Sequence, residues 1–150
     1  MNAAGDRNAE RLTILLVDDD PLIQDTVGSM LNFLGFGPVL ASTGEEALAR
    51  LTAGLQPVLV ILDMDMPGLG GAGTLPQLRA LRPGLPVLIS TGRVSTMVLG
   101  LTRRYEGVGL MPKPFDLKDL QRHLASAVAG GMSSGSFEPE FLRHDDDALV

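Results

Sequence analysis

The residues best placed to do chemistry in this 150-residue chain are acids grouped at the ends of short apolar runs. Asp18-Asp19-Asp20 follows one run, Asp63-Met64-Asp65 a second and Ser90-Thr91 a third, while a fourth leads through Pro112 to Lys113-Pro114. If the first and third strands of the fold are neighbours, at least three of these carboxylates crowd together. Like charges at that spacing stay ionised only when a cation or a proton joins them. An all-oxygen set without His or Cys favours a hard ion, and Mg²⁺ suits one or two carboxylates, a backbone carbonyl, waters and a phosphate. Lys113, one of two lysines beside ten arginines, lies where an ammonium would meet the same cluster, and Thr91 adds a hydroxyl.

The elements that must position these groups alternate along the chain. Thr13 to Val17 is a β-branched, apolar strand of the kind buried on both faces. Asp20-Pro21 supplies an N-cap and a proline at the first helical position, and Leu22, Ile23, Val27, Met30, Leu31 and Leu34 recur at helical spacing up to Gly35. Val39 to Ala41 is a second strand, and Thr43-Gly44-Glu45-Glu46 is a capping box opening a helix that stops at Gly54. Residues 58–62, VLVIL, form the most strand-like segment. Gly68 to Gly73 matches G-x-G-x-x-G, yet five residues separate it from the strand, so it reads as a loop and the next helix as Thr74 to Leu81. Pro86 to Ile89 is a fourth strand, and Val94, Met97, Val98 and Leu101 make a helical face weakened by Gly100. Val108 to Met111 is a fifth strand, and Asp116 caps a last helix whose Leu117, Leu120, Leu124 and Val128 share one side before Gly130-Gly131.

Five apolar strands alternating with five helices predict parallel βαβ units, with ligands held beyond the carboxyl ends of the strands. The order ILLVDDDP (14–21), VILDMDMPG (60–68), PVLISTG (86–92) and MPKPFD (111–116) resembles a two-component response-regulator receiver domain. The intervals of 28 from Asp63 to Thr91 and 22 from Thr91 to Lys113 are also those of that family. The resemblance implies an α/β, flavodoxin-like, doubly wound five-stranded parallel sheet of order 2-1-3-4-5 with five helices. It further implies that Asp63 accepts a phosphoryl group from a histidine kinase or phosphotransfer protein. Mg²⁺ would be placed by Asp18 and Asp19, with Asp63 and the backbone carbonyl of Asp65 as further ligands, while Thr91 and Lys113 would contact the phosphoryl oxygens. A weak homodimer through the face of the fourth helix, fifth strand and fifth helix belongs to the same expectation. Leu110 stands where the family commonly has an aromatic residue, three positions before the lysine.

Two other readings compete. Asp63-Met64-Asp65 resembles the nucleophile motif of haloacid-dehalogenase-like phosphohydrolases, with Asp65 as general acid/base, but here an acidic triplet precedes the motif by 45 residues instead of following it. A receiver fold used as a scaffold without phosphorylation is the third. In either receiver reading the chain is a signalling protein and not a turnover enzyme.

Composition narrows the field further. Apolar residues make up 45% of the chain, charged residues 20%, and the mean hydropathy is +0.20, which describes one globular body. The net charge of −6 divides into −1 over residues 1–10, −4 over residues 131–150 and −1 over the rest. A nearly neutral body with 4% aromatics lacks the basic stripe and stacking platforms of a nucleic-acid binder. No apolar run is long enough to span a membrane, and MNAAGDRNAE lacks the apolar core of a signal peptide, so a cytoplasmic location is expected. The absence of Cys removes disulfides and thiolate chemistry. The expected organisation is a tail over 1–10, a receiver domain over 11–130 and a flexible acidic tail over 131–150. Neither His123 nor His144 is expected to be catalytic.

Overall fold

Five strands, each five residues long, carry the molecule: β1 (Thr13–Val17), β2 (Gly37–Ala41), β3 (Leu59–Asp63), β4 (Val87–Thr91) and β5 (Val108–Pro112). The structure is a computed structural model and describes residues 11–129; the expected tails at 1–10 and 131–150, His144 and Gly130-Gly131 lie outside the described residues. All strand pairs are parallel and the order is β2-β1-β3-β4-β5, so β1 and β3 are hydrogen-bonded neighbours. This is the predicted flavodoxin-like arrangement. Every residue of β3 and β4 is buried, which explains why residues 59–62 and 87–89 are apolar without alternation, with polar residues only at the carboxyl ends of the two strands.

The helices are α1 (Pro21–Phe33), α2 (Gly44–Thr52), α3 (Gly70–Leu81), α4 (Thr96–Arg104) and α5 (Leu117–Ala129). Odd and even strand positions feed two separate cores. Leu15, Val17, Val60, Leu62, Val87, Ile89, Val108 and Leu110 pack with Ala47, Leu51, Leu75, Leu78 and Val98 of α2, α3 and α4. Ile14, Leu16, Leu59, Ile61, Leu88 and Met111 pack with Val27 and Leu31 of α1 and Leu120, Leu124 and Ala127 of α5. The side chain of Val128 lies outside what is described.

Caps set the helix starts as the sequence indicates. Asp20 accepts from the Leu22 amide at 2.9 Å and Thr43 from the Glu46 amide at 3.0 Å, while Glu46 Oε1 accepts from the Ser42 amide at 2.8 Å. Asp116 and Asp119 exchange reciprocal bonds at the head of α5, each accepting from the other's amide. The start of α3 differs from expectation. It opens at Gly70, so four of the six residues of the glycine-rich segment read as a loop form the first helical turn. A Cβ on Gly71 would stand 2.5 Å from the Asp63 carbonyl oxygen, so glycine here permits the helix to begin directly against the end of β3. In α4 only Val98 of the expected apolar face is fully buried; Val94 precedes the helix and is 43% exposed, and Met97 is 56% exposed.

Candidate functional site

Because β1 and β3 are adjacent, their last residues meet. Asp18, just beyond β1, and Asp63, the last residue of β3, are each 2% exposed, and Asp19 beside them is exposed. Carboxylate oxygens of Asp18, Asp19 and Asp63 lie within 4.8 Å of one another. Lys113 reaches in from beyond β5, its ammonium 3.0 Å from Asp18 Oδ2 and 3.2 Å from Asp63 Oδ1. The backbone holds this lysine: its amide donates to the Thr91 carbonyl at 2.7 Å, and the Lys113–Pro114 peptide is cis.

Each buried carboxylate is also tied to the loop that follows it. Asp18 Oδ1 accepts from the Asp20 amide at 2.9 Å, and Asp63 Oδ1 from the Asp65 amide at 3.2 Å. Burial pushes the Asp63 carboxyl above the ordinary aspartate value, and the charge of Asp18 adds to the push; the Asp65 amide and Lys113 oppose it. Burial acts against the Lys113 ammonium, but its hydrogen bond to Asp18 and the charges of Asp63 and Asp18 outweigh this and hold it above the ordinary lysine value. The site is one cation among three carboxylates, with a net negative charge of two units when all are ionised.

The remaining positions expected from the sequence are placed differently from one another. Asp65 presents its amide to Asp63 while its side chain is exposed, which gives no support to a buried general acid at that position. Thr91 is 1% exposed, and its hydroxyl is engaged by its own loop: it donates to the Arg93 carbonyl at 3.0 Å and accepts from the Arg93 amide at 3.1 Å. The Asp20 side chain caps α1. His123 Nδ1 lies 2.9 Å from the Asp119 carbonyl on α5, remote in sequence from the acids.

Sequence reading missed Gln24. Its Nε2 donates to the Asp18 carbonyl at 2.6 Å and to Ser42 Oγ at 3.0 Å, so an α1 side chain clasps the acid-bearing turn to the turn after β2. The one available signal, an amide four residues after the N-cap of an otherwise apolar helix face, is shared by many surface glutamines.

Hard, oxygen-only donors at this spacing fit Mg²⁺, and receiver domains bind Mg²⁺ at such an acidic pocket. No helix among the described residues is long and apolar enough to cross a membrane.

Comparison with known proteins agrees with this geometry. Residues 14–125 match the response regulator receiver domain family. The chain is 40% identical over 109 residues to the response regulator MprA of Mycolicibacterium vanbaalenii, covering 71% of this chain and 46% of that protein. It is 32% identical over 123 residues to the probable transcriptional regulatory protein TcrX of Mycobacterium tuberculosis, covering 81% and 51%. The chain thus spans about half the length of these curated relatives. Among solved structures, chemotaxis protein CheY4 of Vibrio cholerae superposes with a TM-score of 0.71 at 26% identity, covering 76% of this chain and 96% of that one. Response regulator TrrA of Thermotoga maritima, solved in complex with Mg²⁺-BeF, gives 0.69 at 28% identity, covering 77% and 98%. A match across the whole sheet, from β1 into α5, means that the chain belongs to the response regulator receiver domain family.

Proposed function

We propose that Asp63 is the phosphoacceptor of this receiver, charged by a histidine kinase or a phosphotransfer protein. The observation that carries the reading is the Lys113 ammonium held between Asp18 and Asp63 at the carboxyl ends of β1 and β3. A carboxylate oxygen of Asp63 attacks the phosphorus of a phosphohistidine, the P–N bond breaks, and the imidazole leaves with the bonding electron pair. An acyl phosphate remains on Asp63. Lys113 offsets charge on the transferring oxygens, and the Thr91 hydroxyl exchanges its Arg93 partner for one of them. Asp18, Asp19, Asp63 and the Asp65 carbonyl would hold Mg²⁺, which when bound neutralises further negative charge on the phosphoryl group.

The acyl phosphate is itself the signal, ended by its slow hydrolysis to aspartate and inorganic phosphate, and no metabolite is turned over. We assign self-association to the face of α4, β5 and α5, where Met97 is 56% exposed, and keep nucleic acid off the near-neutral body. Intact mass after incubation with Mg²⁺ and acetyl phosphate tests the central assignment. A gain of about 80 Da, one phosphoryl group, that is absent in Asp63→Asn supports it. No gain, or a gain retained in the variant, overturns it. Sustained hydrolysis of a phosphomonoester, lost in Asp65→Asn, would favour the phosphohydrolase alternative.

A further inference from the structure

At the end of α1 remote from the acids, Leu34, Phe36, Gln121, Leu124 and Ala125 line a groove of about 150 Å³ between α1, the approach to β2, and α5. The groove is open to solvent on one side and apolar apart from Gln121, and its volume is comparable to that of an apolar space that takes a benzene ring. Phe33, one residue before Leu34, is 77% exposed and enlarges the apolar surface at this end of α1. The Arg11 guanidinium lies against the wall, donating to the Phe36 carbonyl at 3.2 Å and to Asn32 Oδ1 at 2.8 Å, and brings a positive charge to the site.

We infer that this groove is filled by the chain's own segment Phe137–Leu142, with the ring of Phe137 seated between α1 and α5. Length and starting point favour this occupant. The groove residues on α5 stand four to eight positions before Ala129, about 6–12 Å along the helix. Gly130-Gly131-Met132-Ser133-Ser134-Gly135-Ser136 is linker-like in composition, and such a chain has a root-mean-square span of about 15 Å over eight residues. A linker matched to its span gives an effective concentration in the millimolar range, so a contact with a dissociation constant of about 1 mM is already substantially formed. Charge agrees with length: Phe137 is followed by Glu138 and Glu140, which complement Arg11. Some 14 residues of α1 and its C-cap separate Leu34 from Asp20, about 20 Å of helix, so a docked segment leaves the acid cluster open.

The chain has no Trp, so Phe137→Trp supplies a single reporter at this position. The expected result is an indole emission shifted to the blue of free indole, independent of protein concentration, and moved back to the red by a second change, Ala125→Glu. Ala125 is exposed, so this change places a charge in the groove without entering the core, and an unaltered far-ultraviolet circular dichroism spectrum verifies the fold. Solvent-like emission in the full chain overturns the inference. So does a blue shift that Ala125→Glu leaves in place, which seats the ring elsewhere. A blue shift that grows with protein concentration puts the segment on a second copy and overturns the intrachain contact.

Discussion

The Lys113 ammonium stands 3.2 Å from Asp63 Oδ1 and 3.0 Å from Asp18 Oδ2, so one lysine bridges two buried carboxylates from different strands and offsets half of their charge. In Lys113→Met the carboxylates lose that partner while keeping their amide donors Asp20 and Asp65. Loss of a preorganised donor to developing charge costs roughly 10²-fold in rate. We expect phosphorylation by acetyl phosphate to slow by about that factor. Mg²⁺ affinity, measured by calorimetry, should be retained, because the variant removes a competing cation and no ligand. Unchanged labelling kinetics would show that Lys113 only balances charge.

Folding itself should depend on Asp63. Burial raises its carboxyl in the native state, so folding favours the protonated form. Its contribution is therefore most favourable below the ordinary value near 3.8 and is lost as pH rises through the higher native value. At neutral pH without Mg²⁺ the ionised group is a cost, and Asp63→Asn should raise Tm by roughly 2–5 °C. That advantage should vanish below about pH 3.8, where the acid is protonated in both states. Added Mg²⁺ should stabilise the unsubstituted protein more than the variant. A thermal scan at both pH values, in which Asp63→Asn is the less stable protein at pH 7, would contradict this.

Gln24 is expected to act through the backbone it holds. Its 2.6 Å bond to the Asp18 carbonyl and its 3.0 Å bond to Ser42 fix the turn carrying Asp18 and Asp19. Groups that orient ligands are worth about 10–100-fold in metal affinity. Gln24→Leu keeps the bulk of the side chain on α1 and should weaken Mg²⁺ binding about tenfold with little change in Tm; Gln24→Glu, which loses the donor, should do the same. Equal losses of Tm and affinity would indicate a purely structural role.

Much of this arrangement can be read from the chain before folding, and the exceptions share a cause. Strand identity is legible at VLVIL because a strand covered on both faces has no polar alternation to blur it. Caps are legible at Asp20 and Thr43 because a short polar side chain satisfies orphan amides within three residues. The start of α3 is not, since Gly71 is there for a close approach to Asp63 and Met64, and Gly70 for a left-handed backbone at φ +70°, that only the folded chain makes. The exposure of Val94 and Met97 likewise follows from where the loop after β4 ends, not from their spacing. At the site, Asp18, Asp63 and Lys113 are legible from strand ends. Gln24 and the partner of Thr91 depend on long-range and loop geometry.

We expect the hold of Arg93 on Thr91 to set how a signal leaves the site. The Thr91 hydroxyl uses both its donor and an acceptor position on the Arg93 backbone, two residues before the Ser95 cap of α4. A phosphoryl oxygen on Asp63 would compete for the donor, and turning the hydroxyl towards it should release the 92–95 loop. Leu110 is 2% exposed in the same core as Val98 of α4 and, unlike a phenol, has no polar end to exchange between solvent and interior, so β5 has little to gain by moving. Motion should concentrate in α4. Gly100 within that helix weakens it by about 1 kcal/mol relative to Ala, and a Cβ there meets nothing within 4 Å. Amide NMR with and without beryllofluoride in Mg²⁺ should show the largest shifts at Asp63, Thr91 and residues 93–105, with smaller ones at 108–111. Thr91→Ala should bind the mimic yet lose most of the α4 response, and Gly100→Ala should reduce its amplitude. A dominant change at Leu110 with α4 static would place the coupling on β5 instead.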